Sequence, residues 1–492
     1  MSDRYNEKNI EENRKNDIAK KEQDAQILTD AEQKMVPECK SKKLDMLHGS
    51  IWNKLPRYAL PVAATAILEQ LFNASDLAVV GNFSSTDRTV AVAAVGANSS
   101  IISLILNLFI GIALGANVVI ATAIGRKNQE KVQRAVHTSI IMSILGGVLI
   151  AILGELVASH LLGMLNIPDD VRPSALMYLR IYLLGMPVIL LYNFEAAIFR
   201  SIGDTKVPLK ALTMSGILNV LLNLFFVIVF KMTVNGVAIA TVLSNAFSSL
   251  LLLQKLMRTD RMIHVDLKAL KIDRCSLMRI LKIGLPAGIQ SAVFAVANII
   301  IQAAINSLGT VVIAASSAAY NIEIIAYDVF SSFSQACTTF VGQNFGAGQL
   351  KRCRKVLLLS LLEDFIATAT AIALILVSGH ALLSIFNSDP DVIAIGYTRL
   401  IIIFAAYPFS MLYDVMSGYL RGFGISMAPA ILTTLGICGV RIAWIQFVFP
   451  TSQTFETIMA AYPLSLSITA LLIFIALMVC RPSRRFAAET HN

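Results

Sequence analysis

Glu69, Asn73 and Asp76 fall within one apolar run, ALPVAATAILEQLFNASDLAVVGNF, residues 59–83. They recur at i, i+4 and i+7, so a helix places them on one face. The run is long enough to cross a hydrocarbon core of about 30 Å. An ionisable group at the centre of such a helix costs about 2.5 to 3.5 kcal/mol to insert. Desolvation favours the neutral, protonated form, so a carboxylate kept here points to cation coupling by proton uptake and loss, first at Asp76 and then at Glu69.

Other polar residues come to the same depth. At about 1.5 Å per residue, Asp76 lies roughly 9 Å beyond the middle of its span. Asn219 falls near the middle of the run at 207–230 and Asn223 about a turn beyond it, while Thr241 and Asn245 fall at matching depths in the run at 235–257. Asn and Thr alone also serve as interhelical hydrogen-bonding groups, contributing typically about 0.6 kcal/mol each. The carboxylates are what turn the group into a candidate site.

These residues need elements to hold them. The chain has 492 residues, 56% hydrophobic and 15% charged, with a mean hydropathy of +0.67. That excludes a soluble globular protein and indicates an all-α polytopic membrane protein. Twelve apolar runs of membrane-spanning length extend from 58–82 to 455–480. Lys and Arg crowd alternate connections, whereas the opposite set holds Arg88, Arg172 and Lys231, which predicts both termini on the cytoplasmic side. The net charge of +9 follows from that bias, and no basic helix-and-aromatic pattern suggests nucleic acid. The six cysteines form no CxxC pair, so no disulfide framework or zinc site is indicated. GxxxxGK[ST] is absent, and with it the P-loop of nucleotide-driven transport.

The chain repeats itself. FRSIGDTKVP at 199–208 matches LRGFGISMAP at 420–429, and the same offset of 221 residues pairs Gly125 with Gly346, Pro187 with Pro408 and Tyr192 with Tyr413. Upstream, Pro61 pairs with Pro286 and Asn73 with Asn298 at an offset of 225. Two six-helix bundles related by a pseudo-two-fold axis along the membrane normal are expected, with the substrate path between them. The predicted division is a cytoplasmic tail at 1–50, expected to be disordered or loosely helical, bundles at 51–257 and 279–480, a linker at 258–278 and a short tail at 481–492. The second half carries Phe294, Ile301, Val440, Trp444 and Tyr462 at the places of Glu69, Asp76, Asn219, Asn223 and Thr241. The polar cluster therefore belongs to the first bundle alone.

Other deep charges read differently. Arg441 and Asp414 are expected to form a structural ion pair. Glu323, Asp328, Glu363 and Asp364 line the cavity or pair with one another, and Glu155, Glu195 and Arg180 sit near enough to span ends to snorkel. Asn245, Asn298, Gln302, Asp414 and Arg441 are candidates for the substrate cavity. VGQNFGAGQLKR, residues 341–352, reads as a tight turn after a span.

ALPVAATAILEQLFNASDLAVVG at 59–81, FRSIGDTKVP with its copy, NGVAIAT at 235–241 and GQNFGAG at 342–348 together resemble the multidrug and toxic compound extrusion (MATE) transporters, over nearly all of residues 51–480. The resemblance implies export of organic cations and other drugs by antiport against protons or sodium, by a monomer in the cell membrane without cofactor or nucleotide. It maps the family's first-span aspartate onto Asp76, an Asn and acidic pair onto Asn219 and Asn223, and a threonine onto Thr241. Asn223 departs from the acidic member, so a two-carboxylate sodium site would need Glu69 as replacement. Of the second-bundle carboxylates that some members use, Asp414 is the candidate.

Three alternatives stand beside this. A lipid-linked saccharide flippase would line its cavity with several arginines, and Arg441 is the deep one here. A major-facilitator carrier would show an acidic, arginine-rich signature that GRKNQEKVQR, residues 125–134, lacks. A channel or membrane enzyme would need, respectively, no coupling cation or a catalytic constellation that the sequence does not show.

Overall fold

The computed structural model describes residues 44–83, 88–164 and 167–483. The rest of the expected terminal segments, 1–43 and 484–492, lie outside the described residues. Among the described residues there is no strand. The helices are α1 Leu55–Phe83, α2 Arg88–Gly125, α3 Gln129–Met164, α4 Arg172–Leu184, α5 Met186–Ser201, α6 Lys206–Val229, α7 Val234–Met257, α8 Arg274–Asn306, α9 Thr310–Gly346, α10 Leu350–Phe386, α11 Pro390–Gly422, α12 Met427–Thr451 and α13 Phe455–Cys480.

Ten of these are long and apolar enough to cross a membrane, and α4 with α5 makes an eleventh if the pair is one span bent by 51°. The bend falls where Pro187 enters the first turn of α5, because proline has no N–H for the preceding turn and its ring displaces the carbonyl there. α1 is not in that set, since Glu69, Gln70, Asn73 and Asp76 dilute its apolar character. Helix starts follow local chemistry. Asp273 caps α8 by accepting from Ser276 N at 2.8 Å, so α8 begins five residues ahead of the boundary expected at 279. Asp389 caps α11 just ahead of Pro390, where proline's missing N–H costs no helical bond.

The two halves of the chain meet along a seam. α2 packs on α8, where a Cβ on Gly111 would lie 2.2 Å from Gly288 N, and one on Gly115 would lie 2.5 Å from Ile280 O. Only glycine permits that approach, and dispersion between backbones is what such a contact contributes within a membrane. Further along, polar groups cross between halves. Tyr58 Oη lies 2.8 Å from Thr339 Oγ1, Thr339 Oγ1 donates to Asn117 Oδ1 at 3.0 Å, and Gln343 Nε2 donates to Ser201 O at 2.7 Å. At the opposite end the cores separate. Val79, Val80, Ala91 and Ala94 pack only with first-half residues, and Ile301, Ala304, Ile305 and Ala318 only with second-half residues.

A strap closes the seam end. Leu44–Gly49, within the expected tail, lies packed rather than free, with Met46 1% exposed in a core with Phe340, Val341 and Cys353. Its carbonyls are taken by the second half: Asn344 Nδ2 donates to Met46 O at 3.1 Å, Arg352 Nη2 to His48 O at 3.2 Å and Nη1 to Gly49 O at 3.0 Å. The strap also touches the first half, because Leu44 and Met46 lie over Gly203, whose φ of +83° suits glycine. Within the strap, Asp45 accepts from Leu47 N at 2.9 Å and His48 N at 3.2 Å. Partial burial pushes its carboxyl up, but those N–H donors hold it below the usual carboxylate range.

Candidate functional site

Three helices converge on Asp76. It is 5% exposed on α1. Asn223 Nδ2 donates to Oδ1 at 2.6 Å, and Thr241 Oγ1 donates to Oδ2 at 3.0 Å. Asn223 Nδ2 also reaches Asn219 Oδ1 at 3.1 Å, and Asn219 Nδ2 lies 3.4 Å from Thr241 Oγ1. Each carboxylate oxygen thus has one neutral donor and no cationic partner among the described residues. Asn223 sits just before a π segment, Phe225–Val229, one of the local widenings that often accompany functional sites.

Two features suit this group to a carboxyl that changes charge. Thr241 Oγ1 is also 2.9 Å from Val237 O, and its single proton serves one acceptor at a time. Turned toward Asp76 it supports the ionised carboxylate; turned toward Val237 it leaves room for a cation. Asn223 Oδ1 is buried without a donor. Rotation of the amide presents that oxygen to a protonated Asp76, so the same side chains satisfy both states.

The other expected members of the cluster stand apart. Asn73 is exposed, because three residues at 100° each turn it about 60° around the axis from Asp76. Glu69 is half-buried and roughly 10 Å along the axis from Asp76, in the field of Arg200 and near Asp328 of α9. Asn245 Nδ2 donates to Thr241 O at 2.8 Å, one turn back on its own helix.

The second half differs from its reading in the sequence. Arg441 and Asp414 form no ion pair. Arg441, 2% exposed, donates from Nε to Ser465 Oγ at 3.1 Å and from Nη1 to Asn298 Oδ1 at 3.1 Å. Its guanidinium lies 4.1 Å from the Tyr462 ring centroid. Asp414 accepts at its backbone carbonyl from Ser334 Oγ at 2.8 Å. The deep ion pair is instead Arg399 with Glu323, at 2.9 Å, with Arg399 Nη1 also on Ser316 Oγ at 2.7 Å. Arg399 escaped the sequence reading; its position ten residues into a span was the available signal, but periodicity does not say which acid faces it. Gln302 stays local, donating to Asn306 Oδ1 at 2.9 Å.

The remaining acids also resolve. Arg180 pairs with Glu155 at 2.8 Å with both side chains partly exposed, as snorkelling groups do. Glu195 does not snorkel: it is fully buried and accepts from Ser249 Oγ at 2.9 Å. Asp364 accepts from Thr368 Oγ1 at 3.0 Å, and both Glu363 oxygens are buried without a donor, so these acids do not pair with one another. Gly348, at φ +73°, makes the turn between α9 and α10.

The sequence model of the MatE family matches residues 61–225 and 286–445. The probable multidrug resistance protein YoeA of Bacillus subtilis is 26% identical over 434 residues, which cover 86% of this chain and 93% of that protein. The probable multidrug resistance protein NorM of Thermotoga maritima is 26% identical over 398 residues, covering 80% and 84%. A solved structure described as an outward-facing conformation of a multidrug resistance MATE family transporter superposes with a TM-score of 0.82 at 21% identity, covering 91% of this chain and all of that one.

Proposed function

The chain belongs to the MatE family of multidrug transporters, and from that premise we propose that it exports organic, often cationic, compounds by antiport against protons or sodium, with Asp76 as the coupling carboxylate. The observation that carries this is the burial of Asp76 among Asn223, Thr241 and Asn219 with no cation beside it. An ionised Asp76 favours a cationic compound in the opening between the halves. Binding of a proton or sodium ion cancels the charge and lets α1 repack against α6 and α7, which lowers affinity for the compound. Coupling requires that the two ligands favour different states, since a ligand with equal affinity for both shifts nothing.

On this reading α1, α4 with α5, and the ten apolar helices are twelve spans. They form two six-helix bundles about an axis along the membrane normal, in a monomer whose termini both face the cytoplasm of a plasma membrane. Lys and Arg crowding at the seam end supports that orientation, which makes the seam the inner gate and opens the far end outward. A reporter placed after Cys480 should then be cytoplasmic and one in the loop at Thr86, which lies outside the described residues, external. The flippase reading loses support because the second deep arginine, Arg399, is cancelled by Glu323. The test is dye efflux from proteoliposomes with proton and sodium gradients imposed separately. Efflux should follow one of them, and transport indifferent to both would sink the antiport reading.

A further inference from the structure

Arg441 is a buried guanidinium surrounded by neutral groups: Asn298, Ser465, Tyr462 at 4.1 Å and Phe294 at 5.4 Å from ring centroid to charge. It takes part in no ion pair among the described residues, whereas nearby Arg399 has Glu323. Its Nη2 donates to none of them, so one face of the guanidinium fork keeps its N–H groups. A buried charge without a counter-ion is expensive, and a structural arginine at this place would be expected to have gained an acid, as Arg399 did. The repeat sharpens the point. Arg441 aligns with Val220, Tyr462 with Thr241, and Asn298 with Asn73. Thus the helices that hold an unmatched carboxylate in the first half correspond to those that hold an unmatched guanidinium in the second, at a different register.

We propose that Arg441, oriented by Asn298 and Ser465 and backed by Tyr462, is the residue that selects among exported compounds by binding a carboxylate carried beside an aromatic ring. The remaining N–H groups form a planar fork that matches a carboxylate, and Tyr462 and Phe294 supply apolar surface for an adjoining ring. This rests on the efflux reading above, with Asp76 left to couple the cation.

The test uses two dyes that differ at one group, a rhodamine carrying a free carboxylate and its methyl ester, in proteoliposomes of the full chain. The wild type should export both. Arg441→Gln should lower kcat/KM for the carboxylate dye by about tenfold or more, chiefly through KM, and change the ester by less than about twofold. Arg441→Lys, which keeps the charge but loses the fork, should fall between. Equal losses for both dyes in folded variants would mark Arg441 as structural and overturn the proposal. Export of the ester but not the acid by the wild type would overturn it while leaving the efflux reading intact, and export of neither would remove both. Should Arg441→Gln not fold, the KM split in Arg441→Lys decides: a rise for the acid alone supports the site, and equal shifts refute it.

Discussion

Around Asp76 the first half surrounds a carboxylate with two amides and a hydroxyl; around Arg441 the second half surrounds a guanidinium with an amide, a hydroxyl and two rings. Neither charge has an opposite within ion-pairing distance among the described residues. The same helices in sequence order, α1, α6 and α7 against α8, α12 and α13, supply the two groups. Both sites also adjoin π segments, Phe225–Val229 and Trp444–Val448. The difference teaches that corresponding helices of the two halves can each hold an uncompensated charge, at different registers and of opposite sign.

The largest test of that contrast is Asp76→Asn. Removing the charge should leave folding intact while gradient-driven efflux falls to that of protein-free liposomes at matched reconstitution; wild-type rates would erase the distinction between the halves. Next, Arg399→Leu should destabilise the second half by about 3 to 5 kcal/mol, because Glu323 is left buried and alone. Thermal unfolding in detergent should show most of that loss restored by adding Glu323→Leu, and a failure to recover would mean that the pair does more than balance itself. Asn223→Leu deprives Asp76 of its shortest donor and should weaken cation dependence by on the order of tenfold, for a loss of about 1 to 3 kcal/mol. Its aligned counterpart, Trp444→Leu, should leave that dependence unchanged when efflux is titrated with the driving cation. The smallest effect belongs to Glu69→Gln, about twofold or less in the same titration, since Glu69 sits outside the Asp76 group.

Much of this was legible beforehand because it depends on patterns along one helix. Asp76 stands out by the cost of a carboxylate within a span, Asn219, Asn223 and Thr241 by their matching depth and by the family resemblance, and depth follows from counting residues along a span. What periodicity does not encode is rotation and neighbourhood. Asn73 differs from Asp76 by a sixth of a turn, and that suffices to put one outside the cluster. The partners of Arg441, Arg399 and Glu195 come from other helices, whose relative angles are set by packing across the whole bundle. Their assignment by sequence therefore failed for Arg441 with Asp414 and for Glu195 at a span end. The break at Gly185–Pro187 and the π segments are likewise local responses to packing, with only the proline visible in advance.

The strap at Leu44–Gly49 ties the first of the described residues to the seam. For the halves to part there, either Leu44 and Met46 come off Gly203 or the strap's three carbonyls lose Asn344 and Arg352. On the transport reading proposed above, these contacts bear on the speed at which the seam opens more than on the affinity for the compound carried. Acid acts in the same sense. Because the folded Asp45 carboxyl is held below its ordinary range, its support for the strap is complete above that range and fades as pH drops through the lower folded value. Deleting the strap through Gly49 should then quicken turnover and remove the part of its acid dependence that Asp45 supplies, with dye affinity unchanged at equilibrium; unaltered turnover would show that the strap carries no load.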